Sequence, residues 1–242
     1  MRTASFPVMP GSSDEAIAPR GAFYGRRKGH KLRRKRAGLI ASLLPQLALD
    51  LSAPAPTDLR TVFPVPVSRI ALEIGFGGGE NFVREAASDP ATGFIGCEPF
   101  INGMASALSS IEASGIRNVR LHQGDAIEVL DWLPASSIAR VDLLYPDPWP
   151  KKRHRKRRFV SEETIARFAR IVAPGGAFRF ATDIADYAEW TLTRFLRDAD
   201  FEWTAERADD WRKPWPGFGG TRYETKAIRE GREPCYFVFR RN

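Results

Sequence analysis

Leu72-Glu73-Ile74-Gly75-Phe76-Gly77-Gly78-Gly79-Glu80 is the stretch that decides the fold. Arg69–Ile74 reads as a short apolar strand, the glycines as a tight turn, and Glu80–Ser88 as a helix. Glycine at a strand-to-helix junction lets the backbone take positive φ and come close to a ligand, which marks Gly75, Gly77 and Gly79 as ligand-loop candidates. A second acid, Glu98, ends the next strand 25 residues after Glu73, where it can accept hydrogen bonds from both hydroxyls of a ribose.

The pattern continues outward. Further strands are expected at 93–97, 118–121, 141–145 and 177–181, with helices at 101–113, 126–133, 161–172 and 184–199. Residues 201–206 and 235–240 read as a closing antiparallel pair. Strand and helix in alternation predict an α/β protein with a doubly wound, mostly parallel sheet and an antiparallel C-terminal strand. Three segments are expected along the chain: a disordered tail over 1–19, a basic arm and Pro-rich linker over 20–67, and the ordered domain over 68–242. Leucines at 39, 43, 44 and 47 suggest one short helix inside the arm, broken near Pro45.

The loop also narrows the cofactor. A dinucleotide fingerprint wants a third glycine where Glu80 stands, and a negative side chain there repels a pyrophosphate at the helix N-terminus. S-adenosylmethionine has no phosphate and carries a positive sulfonium, so it suits the acids Glu73 and Glu98 better. Asp125 ends the third strand in Gly124-Asp125-Ala126, placed to read an adenine amino group or to cap the helix that follows. The two roles are compatible.

Charge is uneven. Residues 20–36 and 151–158 hold sixteen of the 37 Lys and Arg and no acid, so the net +8 of the chain sits wholly in these two runs. Two such runs on an otherwise acidic body point to a nucleic-acid partner, with phosphate contacts supplying affinity. The second run follows Asp147 directly: Asp147-Pro-Trp-Pro-Lys-Lys-Arg-His-Arg-Lys-Arg-Arg158. Its acid ends the strand expected at 141–145, where open α/β sheets bind ligands. Trp149, between two prolines, is read as stiffening this loop. His154 lies among cations that disfavour its proton, so it is read as a phosphate or base contact and not as a general base. Cys97 and Cys235 fit no disulfide framework, and His30, His122 and His154 no metal spacing. With no secretory start and no apolar run of membrane length, a cytoplasmic protein without metal is expected. Monomer and homodimer both stay open.

With Glu73-Ile-Gly-Phe-Gly-Gly-Gly, the Asp147 segment and Thr221-Arg-Tyr-Glu224 in this order, residues 23–240 resemble the bacterial tRNA (guanine-N7-)-methyltransferase family. The resemblance implies a Rossmann-like S-adenosylmethionine-dependent methyltransferase fold. It also implies methylation of guanine N7 at position 46, in the tRNA variable loop. It marks Glu73, Glu98, Asp125 and Asp147 as cofactor positions, with Asp147 also the catalytic candidate. Lys151, Asp183, Thr221, Arg222, Tyr223 and Glu224 become substrate positions, and Arg153, His154, Arg155, Lys156, Arg157 and Arg158 RNA contacts. Arg222 and Tyr223 stand where relatives often carry Lys and Phe, which keeps the charge and the ring. Two other readings are a different RNA base methyltransferase and a non-catalytic tRNA-binding protein.

Overall fold

A computed structural model describes residue 25 and residues 27–242. The expected tail and the first part of the basic arm lie outside the described residues. In chain order the elements are α1 (Arg34–Ser42), α2 (Leu44–Leu47), β1 (Arg69–Ile74), α3 (Glu80–Ser88), β2 (Thr92–Cys97), α4 (Ile101–Ser114), β3 (Val119–His122) and α5 (Ala126–Trp132). There follow β4 (Ile138–Leu144), α6 (Glu162–Ile171), β5 (Val172–Thr182), α7 (Ala185–Phe195), β6 (Phe201–Trp203), α8 (Asp209–Arg212), α9 (Arg222–Arg229) and β7 (Cys235–Arg241).

The strands form one sheet in the order β3-β2-β1-β4-β5-β7-β6. β1 to β5 run parallel. β7 runs antiparallel to both β5 and β6, which gives the expected antiparallel end. The chain moves outward from β1 to β3, then returns to lay β4 against the other side of β1. That reversal is a topological switch point, and the loops leaving the ends of β1 and β4 part there to open a crevice.

Both faces of the sheet are covered, which is why β2 is buried along its whole length. On one face Phe82 of α3 and Met104 and Leu108 of α4 pack over Phe94 and Leu121. On the other, the rings of Phe168, Phe178, Phe195 and Phe239 stack in sequence at 4.6, 4.8 and 4.1 Å between centroids. The boundary expected near Ser68 does not divide the packing. Leu59 and Phe63 belong to the central core, and the Phe63 ring occupies the space a Cβ on Gly93 would need, 2.6 Å away. Leu39 and Leu47 bury against α4 and β3, so the helices of the arm are part of the same body. Prolines punctuate the stretch between them, and its apolar side chains anchor it.

One face of the central strands carries charge. Register aligns Glu73 of β1 with Asp142 of β4, and Asp142 with Arg179 of β5. Arg179 and Arg140 both donate to Asp142, at 2.6 and 2.9 Å, and Glu85 of α3 pairs with Arg140 at 2.8 Å. Burial acts to raise the Asp142 pKa, but the two guanidinium groups outweigh it and hold the carboxyl below its ordinary range.

Candidate active site

The crevice at the switch point encloses about 570 Å³. Its walls include Gly75 and Gly77 from the glycine loop, Glu98 after β2, Asp125 after β3, Asp147 after β4, and Arg222 and Tyr223 of α9. Gly75, Gly77 and Gly79 all take positive φ, at 69°, 59° and 82°. A Cβ on Gly75 would meet nothing within 4 Å, so this glycine borders open space. Gly79 differs: its Cβ would strike Ala107 at 2.6 Å, so this glycine lets α3 lie against α4 and does not line the crevice.

Glu98 holds the loop in place. Its Oε2 accepts the Gly77 N–H at 2.6 Å and its Oε1 the Phe100 N–H at 2.8 Å. Burial raises its pKa, and those two N–H groups work against the rise. Asp125 caps α5 by accepting the Ile127 N–H at 3.0 Å while its side chain still borders the crevice. Burial is the largest cause of its raised pKa as well. Glu73 is elsewhere. Alternation along β1 turns it away from the crevice wall, into the charged face it shares with Asp142, where it accepts a hydrogen bond from Asn81 Nδ2 at 2.8 Å. Burial, then repulsion from Asp142, pushes its pKa up to about 8.

Asp147 is solvent-facing on the crevice wall, and no cation among the described residues pairs with it. Partial burial of its carboxyl raises its pKa by desolvation. Its loop is strained: Tyr145 at φ 50° and Trp149 at φ 43° flank it, and bulky side chains rarely adopt that region. The cations after it divide. Arg158 is 4% exposed, bonded to Asp186 and the Pro148 carbonyl, with its guanidinium over the rings of Tyr187 and Trp190. Arg158 is therefore buried, with three of its N–H groups held by Pro148 and Asp186, and does not present the exposed RNA contact expected of it. Arg155 pairs with the same Asp186 at 2.6 Å, and Arg157 lies over Trp149 at 5.0 Å. Lys151, Lys152 and Arg153 are exposed, and Lys156, also exposed, borders the crevice. His154 sits edge-on to Trp149, its pKa lowered first by desolvation and then by Arg157, Arg153 and Lys151.

The remaining substrate candidates also divide. Asp183 binds Arg232 away from the crevice wall. Thr221 and Glu224 form a reciprocal cap that starts α9, and Glu224 also accepts the Tyr236 hydroxyl. That cap carries Arg222 and Tyr223 onto the glycine loop, where a Cβ on Gly77 would lie 3.2 Å from an Arg222 guanidinium nitrogen. α9 itself was not among the expected helices, although Thr221-x-x-Glu224 is a capping signature. Phe100 and Tyr145 also line the crevice and carried no separate signal. Among the described residues no cluster of His, Cys, Asp or Glu is arranged to hold a metal, and no helix is long and apolar enough to cross a membrane.

A family model described as "Putative methyltransferase" matches residues 68–236. The chain is 58% identical over 231 residues to a tRNA (guanine-N(7)-)-methyltransferase of Rhodopseudomonas palustris (strain BisA53), covering 96% of this chain and 92% of that protein. It is 60% identical over 220 residues to one of Rhizobium meliloti (strain 1021), covering 91% and 95%. Among solved structures, an antibiotic-related methyltransferase superposes with a TM-score of 0.52 at 15% identity, covering 78% of this chain and 96% of the other. TrmN from Thermus thermophilus superposes at 0.50 and 16%, covering 75% and 46%. At such identities the likeness is one of fold.

Proposed function

The chain belongs to the tRNA (guanine-N(7)-)-methyltransferase family, and from that premise we propose what each wall of the crevice does. The protein transfers a methyl group from S-adenosylmethionine to N7 of a guanine in tRNA. The guanine at position 46 of the variable loop is the target we assign, and the cytoplasm the place.

The residues fit the cofactor. Gly75 leaves an open cradle, the acids Glu98 and Asp125 border it, and Glu80 at the start of α3 would repel a phosphate. When bound, S-adenosylmethionine supplies an electrophilic methyl group on a sulfonium. Each Glu98 oxygen is held by one backbone N–H and keeps a second lone pair for a ribose hydroxyl. Asp125 caps α5 through Oδ1, which leaves Oδ2 to accept from an adenine amino group.

Guanine N7 carries an in-plane lone pair and no proton, so no general base is required. The chain must orient the base, exclude water and balance the positive charge the purine gains. Asp147 takes that part. The observation that carries the reading is its position: at the end of β4, beside the β1 loop, on one crevice with Glu98 and Asp125. Lys151 and Arg153, exposed on the next turn, and Lys156, exposed at the crevice, would hold tRNA phosphates. The basic arm adds a second track, since Ile101 N–H donates to the Arg27 carbonyl and brings the arm to the start of α4.

Asp147→Ala tests the assignment. Its turnover under saturating substrates should fall about 10²-fold, and near-normal turnover would overturn it. Analysis of the product nucleosides separates the alternatives: N7-methylguanosine supports this reading, an N2- or N6-methylated base supports a different RNA methyltransferase, and no product supports a tRNA-binding protein.

A further inference from the structure

α9 buries only Glu224 and Ala227, yet it sets two side chains of the crevice wall. Besides its Thr221–Glu224 cap and the bond from Tyr236 to Glu224, the segment that leads into it helps to fix its start. The chain enters it through Gly219 and Gly220, and both touch Arg84 of α3. The Arg84 Nη1 donates to the Gly220 carbonyl at 3.2 Å. A Cβ on Gly219 would lie 2.4 Å from Arg84 Nε and Cζ, so the guanidinium fills the space that this glycine leaves open. Behind it, Arg84 Nη2 donates to Asn81 Oδ1 at 2.6 Å, and Asn81 Nδ2 to Glu73 at 2.8 Å. One hydrogen-bonded chain therefore runs from the strand under the glycine loop, across the first turn of α3, to the entry of α9. A second anchor holds the same loop further upstream, where Arg179 lies 4.4 Å over the Trp215 ring.

We propose that Arg84 is a positioning residue for methyl transfer: it latches the Gly219–Gly220 turn to α3 and so holds Arg222 and Tyr223 against the glycine loop. The proposal rests on the reading of the crevice given above. Arg84 does not itself line the crevice, so its effect must pass through α9. Arginine suits the place because its planar fork spans Asn81 and Gly220 at once, which a lysine ammonium on a single stem does not. A latch of this kind also ties the cofactor side of the crevice to the substrate side, because Glu73 and Asn81 sit at the root of the glycine loop.

The test is a double-mutant cycle on single-turnover methylation of an unmodified tRNA transcript, with Arg84→Met on one axis and Arg222→Ala/Tyr223→Ala on the other. Wild-type turnover reports on the reading of the crevice, and the cycle reports on the latch alone. Arg84→Met should lower the rate by at least about tenfold, the scale of a misplaced binding group, with the KM for tRNA within about threefold of wild type. In the Arg222→Ala/Tyr223→Ala background the same substitution should cost less than about threefold, because the groups it positions are gone. Losses that multiply, or an Arg84→Met rate near wild type, overturn the proposal. Should Arg84→Met fail to fold, Arg84→Lys keeps the charge and the stem and carries the same cycle.

Discussion

Glu98→Gln is the sharpest perturbation of the cofactor side. The carboxylate spans two backbone donors, with Oε2 on the Gly77 N–H at 2.6 Å and Oε1 on the Phe100 N–H at 2.8 Å. An amide has the same shape but only one oxygen, so its NH2 group must face one of those N–H groups. One charge-assisted hydrogen bond is lost and the other becomes neutral. With charged bonds worth about 1.5–3 kcal/mol and neutral ones about 1, the loss is about 3 kcal/mol. Gly77 or the first turn of α4 must then shift, and Gly103 leaves little room: a Cβ there would stand 2.4 Å from the Gly77 carbonyl oxygen. The ribose would also meet a weaker acceptor. If the loss falls on the bound state, affinity for S-adenosylmethionine drops about 100-fold. Isothermal titration with S-adenosylmethionine, alongside thermal unfolding of both proteins, measures it. Binding within threefold of wild type by a variant of unchanged stability would refute the reasoning.

Glu73 gives a pH prediction. Folded, its pKa lies at about 8, while the unfolded chain ionises it near 4.3, so folding retains a proton between those values. Stability from this group is fully present below the unfolded value and is lost as pH rises to about 8. Glu73→Gln should thus gain on wild type by up to about 1.4 kcal/mol per pH unit across that window in urea denaturation, and a difference flat with pH contradicts it. Arg158→Met should cost about 3 kcal/mol of stability and leave the salt dependence of tRNA binding unchanged, because its donors are internal. Arg153→Ala should do the reverse, lowering the slope of log K against log salt by about 0.7–0.9 at no cost in stability. An exchange of these two phenotypes would move Arg158 to the RNA side.

The glycine loop, Glu98, Asp125 and Asp147 were legible because each ends a strand or opens a helix. In a doubly wound sheet those points converge whatever the side chains between them do. Glu73 was not, since a single step of strand parity decides whether it faces the crevice or the row formed with Asp142 and Arg179. The inward turn of Arg158 was hidden for another reason: Asp186, which claims it, lies 28 residues later on a helix. α9 had a signal in Thr221-x-x-Glu224, masked by the glycines and tryptophans ahead of it. The arm was read as linker because its prolines are plain in sequence, whereas the burial of Leu59 and Phe63 is a property of the finished core.

The central claim is that methyl goes to N7 of the variable-loop guanine. The direct measurement is methyl incorporation from labelled S-adenosylmethionine into two tRNA transcripts, identical except that one carries 7-deazaguanosine at position 46. That analogue keeps the Watson–Crick edge and replaces N7 by a C–H. The account predicts incorporation approaching one methyl per tRNA for the first and none for the second, whereas equal incorporation into both would contradict it.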